Sequence, residues 1–180
     1  IAVHVFGNPC NDESLDKISK AHSIPIIYDA AHAFGVNYAG SSIASLGDIS
    51  TFSFHATKIF HTIEGGAIIV KDKATYDRAK LLINFGIPGY DQISNLGINA
   101  KMNEFQAAMG LCILDEIDTI MAGRKIVYDR YSNSLLGIKS LTFQQFNSKA
   151  TNNYAYYPIV FSSESVLLKI KAKCMDNYSD

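Results

Sequence analysis

The sequence predicts an α/β fold with a mostly parallel sheet flanked by helices, on two observations. Three short runs, Pro25–Tyr28, Ile49–Phe54 and Ala67–Val70, are rich in β-branched or aromatic residues, end in turn signals, and read as strands buried on both faces. A strand, a helix and a second strand also succeed one another between Ile1 and Tyr28. That order marks a βαβ unit with a right-handed crossover.

Taken in order, Ile1–Phe6 reads as the first strand, closed by the turn Gly7-Asn8-Pro9. Asn11 or Asp12 can cap a helix whose apolar positions Leu15, Ile18 and Ala21 recur at helical spacing, ending near His22. Pro25–Tyr28 is the next strand, Asp29 closes it, and Ala30–Phe34 is expected to form a short helical segment capped by Asp29. Tyr38–Gly47 is loop-like, and Ile49–Phe54 leads to Ser53, His55 and Lys58. Glu64-Gly65-Gly66 gives a turn whose missing Cβ atoms allow close backbone approach, before the strand Ala67–Val70.

Lys73–Phe85 is an amphipathic helix, with Tyr76, Ala79, Leu82 and Ile83 on one side. Gly86–Gly97 is a long Gly/Pro-marked loop, of a length uncommon without a function. Asn103–Ala122 is expected to be one long helix with Phe105, Ala108, Met109, Cys112, Ile113, Ile117, Ile120 and Met121 as its buried stripe. Gly123 should interrupt it before Arg124–Leu136 resumes. Beyond Gly137 the signal weakens: Asn152–Phe161 reads as a strand and Glu164–Lys173 as a helix.

The 180 residues are 48% hydrophobic and carry a net charge of −1, enough apolar material for a real core and no electrostatic reason to expect nucleic acid or an anionic membrane as partner. No apolar run approaches the roughly 20 residues that span a bilayer. Cys10, Cys112 and Cys174 are odd in number and widely spaced, which suits a reducing cytoplasm better than a disulfide framework. The five histidines lack metal-site spacing with them, so no metal is read.

Asp29 and Lys58 each follow a strand-like run, and polar groups at strand ends of a parallel sheet converge where ligands bind. A lysine amine facing a carboxylate suits pyridoxal phosphate: the amine forms a Schiff base, and the acid keeps the ring nitrogen protonated. On spacing alone Asp29 is as readily a helix cap and Lys58 a solvated surface charge.

The wording of these segments is more specific. PIIYDAAHAFG (25–35), GDISTFSFHATK (47–58), EGGA (64–67) and GINAKMNEFQAAMGL (97–111) resemble, in the same order, the DegT/DnrJ/EryC1/StrS family of aminotransferases acting on nucleotide-linked keto sugars. The resemblance runs from about Val3 to at least Phe161. It implies a fold type I enzyme with pyridoxal 5'-phosphate as cofactor: Lys58 as the Schiff-base lysine, Asp29 as partner of the ring nitrogen, His32 beside the ring and Ser53 on the phosphate. Asn99 would reach across a homodimer interface to the partner's cofactor phosphate. Some members of the family are dehydratases with histidine in place of the lysine, and Lys58 favours transamination.

The resemblance further implies L-glutamate as amino donor and a nucleotide-sugar acceptor. FGNPCN and HATKIFHTIEGG look most like the branch making dTDP-4-amino-4,6-dideoxyhexoses, as in surface polysaccharide synthesis. Members are about twice this length, and the chain starts at Ile1 within an apolar run, so it reads as a fragment: residues 1–122 as the C-terminal part of the large cofactor-binding domain, 123–180 as a linking helix and incomplete small C-terminal domain. No role follows from the residues for His55, where a hydrogen-bonding or packing part is the simpler expectation, nor for His61 and Glu64. A fragment that folds or dimerises without holding cofactor is the alternative.

Overall fold

The computed structural model describes residues 1–176. In chain order the elements are β1 (Ala2–Val3), α1 (Asp12–His22), β2 (Ile27–Asp29), β3 (Asn37–Tyr38), β4 (Ser41–Ser42), β5 (Ile49–Ser53), β6 (Gly66–Val70), α2 (Lys73–Ile83), α3 (Glu104–Asp115), α4 (Ile117–Leu135), β7 (Leu141–Phe143), β8 (Ile159–Phe161) and α5 (Glu164–Asp176). The central sheet has the order β1-β2-β5-β6, with β1, β2 and β5 parallel and β6 antiparallel to β5. The α/β fold with a mostly parallel sheet and flanking helices is therefore as the strand-like runs predict.

Local chemistry explains the best-defined elements. Asn11 caps α1 by accepting from Ser14 N (3.1 Å), and Asp72 caps α2 by accepting from Thr75 N (2.8 Å). Asn103 and Gln106 form a reciprocal capping box at the start of α3. The core lies under the turn-rich segment between β2 and β5: Ala30, Ala33, Val36, Tyr38 and Ile43 are buried together, with Leu46, Phe52 and Ala150 packed against them.

Several boundaries differ from expectation. β1 stops at Val3 because the chain then makes a 3₁₀ turn at Val5–Gly7, with Phe6 at φ 58° and Gly7 at φ 79°. Tyr38–Gly47 holds the β3–β4 hairpin and a further 3₁₀ turn rather than open loop. The long helix breaks at Glu116, not Gly123. Glu116 N tightens back onto Ile113 O and Leu114 O, while α4 runs unbroken through Gly123. Phe105 is 86% exposed, and Ala108 and Cys112 are exposed too, whereas Met109, Ile113, Ile117, Ile120 and Met121 are half-buried, so the expected buried stripe is only partly covered among the described residues. Of Asn152–Phe161 only Ile159–Phe161 is strand, because the preceding residues satisfy their backbone through asparagine side chains. The expectations for 177–180 lie outside the described residues. No helix among those described is long and apolar enough to cross a membrane.

His4 gives a test of this packing. It is fully buried and stacked on Tyr28 at 4.5 Å. Its Nδ1 accepts from Cys10 N (3.1 Å), while Nε2 has no partner among the described residues. Burial lowers its pKa from 6.5 to about 4, outweighing Asp12 and Asp29. The unfolded chain therefore binds the extra proton across this window. Stability is complete above the unfolded value and falls as pH drops toward the folded one, by up to roughly 3 kcal/mol. Urea-unfolding free energies from about pH 7.5 down to about 4.5 should decline steeply in the wild type and less steeply in His4→Phe. Equal slopes would contradict this.

Candidate active site

Because β2 and β5 are parallel, their carboxyl ends share one edge of the sheet, where such folds collect polar groups. Asp29 ends β2 opposite Thr51, its carbonyl accepting from His4 N (2.9 Å) while Ala30 N donates to Thr51 O (2.8 Å). Ser53 ends β5 opposite Gly66, where a Cβ would meet Phe52 O at 2.7 Å, so the close approach expected of the glycine pair is real. Lys58 follows on a loop closed by Phe54 N to Gly65 O, Lys58 N to His55 O and Thr62 N to Phe54 O, each 2.9 Å. Phe34 stacks on Phe60 at 4.5 Å, and Phe54 meets both rings edge-on.

Asp29 Oδ1 accepts from Ala31 N (3.0 Å), and Oδ2 meets no donor among the described residues. The short helix expected over Ala30–Phe34 is instead two successive turns, Ala33 N to Ala30 O and Val36 N to Ala33 O. The cause is Asn153, whose Nδ2 donates to both His32 O and Phe34 O (2.9 Å each). His32 Nδ1 accepts from Phe6 N (3.1 Å), and its ring lies 4.5 Å from that of Tyr156. Burial and then the Lys58 cation push the His32 imidazole below its ordinary pKa, and the Asp29 carboxylate pulls it back in part. His32 and Lys58 line one small cavity, and Asp29 ends the strand three residues before His32.

Lys58 Nζ lies 3.5 Å from Tyr156 Oη, a long contact of the kind ligand-free sites show. The enclosed space there is about 10 Å³, close to the room of one water, and Arg124, Asn153 and Tyr156 are among its lining residues. Arg124 donates to Ala155 O (3.4 Å) and has no acidic partner among the described residues.

Ser53 Oγ accepts from His55 N (3.4 Å) at the same sheet edge. Asn99 lies elsewhere: bridged to Asn84, it lines a separate cleft of about 650 Å³ with Thr51, Gly66, Lys101 and Gln106, none of them a lining residue of the Lys58 cavity. His55 has a local part: Nδ1 accepts from Thr57 N (3.2 Å) and contacts Thr57 Oγ1 (2.9 Å), while Nε2 is 3.7 Å from Glu64. His61 Nδ1 accepts from Ile63 N (3.4 Å). Sequence reasoning missed Phe6, Arg124, Asn153 and Tyr156. A paired amide at Asn152-Asn153 inside an aromatic run was the one signal for the third, and Tyr156 had none.

The model of the DegT/DnrJ/EryC1/StrS aminotransferase family matches residues 1–176. The chain belongs to that family. A DegT/DnrJ/EryC1/StrS aminotransferase is a pyridoxal phosphate-dependent enzyme of fold type I. Among its relatives, dTDP-4-amino-4,6-dideoxy-D-glucose transaminase of Shigella dysenteriae is 38% identical over 90% of this chain and 44% of its own length. GDP-perosamine synthase of Escherichia coli O157:H7 is 34% identical over 75% of this chain and 38% of its own. The crystal structure of DesI with its TDP-sugar product superposes with a TM-score of 0.82 at 34% identity, covering 91% of this chain and 41% of that one. The chain thus spans less than half the length of these relatives.

The donor set fits the family's cofactor: an amine and an imidazole line one cavity, a carboxylate ends the strand just before the imidazole, and a hydroxyl ends the adjoining strand. The small cavity that Lys58 lines has neither Asp29 nor Ser53 among its lining residues.

Proposed function

We propose that this chain supplies the lysine-bearing wall of an aminotransferase moving an amino group from L-glutamate to a dTDP-linked keto-deoxy sugar, for deoxyaminosugar or surface polysaccharide synthesis in the cytoplasm. The observation behind it is that Lys58 and His32 line one cavity beside the carboxyl ends of two parallel strands, the first of which Asp29 closes. The cofactor, when bound, supplies the electron sink that stabilises a carbanion at the amino-acid α-carbon. Lys58 Nζ would anchor it and, as a free amine, would act as the general base that moves a proton from the donor's Cα to the cofactor's C4′. Asp29 holds a proton on the ring nitrogen by opposite charge, an effect that works within ~4–6 Å. His32 flanks the ring, and Ser53 Oγ donates to the phosphate.

Asn99, exposed in its own cleft, is assigned to the phosphate of the partner's site in a homodimer. Residues 1–122 are assigned to the large cofactor-binding domain, and 123–180 to a linking helix and part of the small C-terminal domain. The relative named for a GDP sugar makes the nucleotide the finest part of the proposal, and dTDP rests on the greater similarity of the Shigella enzyme. A second possibility is a chain that folds without holding cofactor; behind it stands the fact that neither Asp29 nor Ser53 lines the cavity at Lys58.

Loading the protein with pyridoxal phosphate and adding glutamate should release 2-oxoglutarate at one equivalent per site. Amine return to a dTDP-linked keto sugar should then exceed that to GDP- or UDP-linked sugars by about tenfold or more, the scale of one good contact. No keto acid from a loaded protein would contradict transamination, and failure to load would favour the second possibility.

A further inference from the structure

Three segments far apart in sequence meet at one buried amide. Asn153 is 1% exposed. Its Nδ2 fastens His32 O and Phe34 O, its Oδ1 accepts from Ala155 N (3.2 Å), and Gly7 leaves it room, since a Cβ there would stand 2.8 Å from Oδ1. The backbone departs from ordinary geometry beside it: Tyr154 has φ 57°, held by Asn152 Oδ1 accepting from Tyr154 N (2.7 Å). A non-glycine residue kept in that region requires surroundings that over-determine it, and such residues cluster at functional sites. Two residues on, Tyr156 packs its ring at a tilt against His32, 4.5 Å between centroids, and brings its hydroxyl to Lys58 Nζ, that amine's one side-chain partner among the described residues.

We propose that Asn153 and Tyr156 form a clip that positions the Lys58 amine, with Tyr156 Oη accepting from Nζ and Asn153 fixing the segment that carries it. Both are positioning residues; the proposal rests on the assignment of Lys58 above. Asn153 touches neither the amine nor the carboxylate. Its effect on Lys58 therefore passes through Tyr156, and the two substitutions should act on the same quantity.

The test is the rate at which pyridoxal phosphate and borohydride fix a pyridoxyl group on Lys58, divided by the rate at exposed Lys139 in the same molecules, both read by peptide mass spectrometry. This ratio cancels reagent effects and requires no turnover, and the unfolding midpoint controls for loss of fold. The unsubstituted protein should favour Lys58 strongly. Tyr156→Phe should lower the ratio about tenfold, within the range known for mispositioned reacting groups, with an unchanged unfolding midpoint. Asn153→Ala should lower it similarly; if that variant does not fold, Tyr156→Phe alone decides. An unchanged ratio in Tyr156→Phe overturns the clip and leaves the lysine assignment intact. No preference for Lys58 in the unsubstituted protein overturns both.

Discussion

Lys58→Ala should leave a folded protein that no longer holds pyridoxal phosphate covalently and transfers amine at least roughly 10³-fold more slowly. Two functions leave with one side chain: the anchor, and the general base, whose contribution alone is typically 10²–10⁴-fold. The fold should tolerate the change. Lys58 is half-buried, makes one long contact to Tyr156 Oη, and forms no salt bridge among the described residues, so the stability cost should stay at about 0.5 kcal/mol. Absorbance of the loaded protein and a urea curve would check the two halves together. Wild-type colour on a lysine elsewhere in the chain, or unaltered turnover, would contradict the assignment.

Asp29→Asn should keep the colour and slow α-proton abstraction by roughly 10²-fold or more, on the scale of one lost charge stabilisation in a shielded site. The substitution isolates charge from shape. Asn retains an Oδ1 able to accept from Ala31 N, as Asp29 does at 3.0 Å, so the turn after β2 survives. It also removes the negative charge acting on His32, one of the influences that hold that imidazole up against burial and Lys58. The pKa of His32, followed by NMR, should therefore move down in Asp29→Asn. Normal turnover with an unmoved His32 titration would show that the carboxylate faces elsewhere.

What the residues foretold and what they hid divides along sequence separation. β2, β5 and β6 lie within a residue or two of their predicted bounds, and α1 begins at its predicted cap, because β-branched runs and an Asn at a helix start act through near neighbours. The strand ends, and with them Asp29, Ser53 and Lys58, followed from that. The turns over Ala30–Phe34 were not legible, since their carbonyls are claimed by Asn153 from 121 and 119 positions away. Tyr156 reaches Lys58 across 98 positions and no local pattern announces it. The apolar periodicity of 103–122 is genuine, yet it predicts a face rather than its cover, and Phe105 remains exposed.

Diffraction from crystals of the protein loaded with pyridoxal phosphate tests the shared role of Lys58 and Asp29 most directly. The expected map has continuous density from Lys58 Nζ to the cofactor's aldehyde carbon, with an Asp29 oxygen roughly 3 Å from the ring nitrogen, as a charge-assisted hydrogen bond requires. Density joined to a different lysine, or an Asp29 carboxylate turned away from the ring, would contradict it.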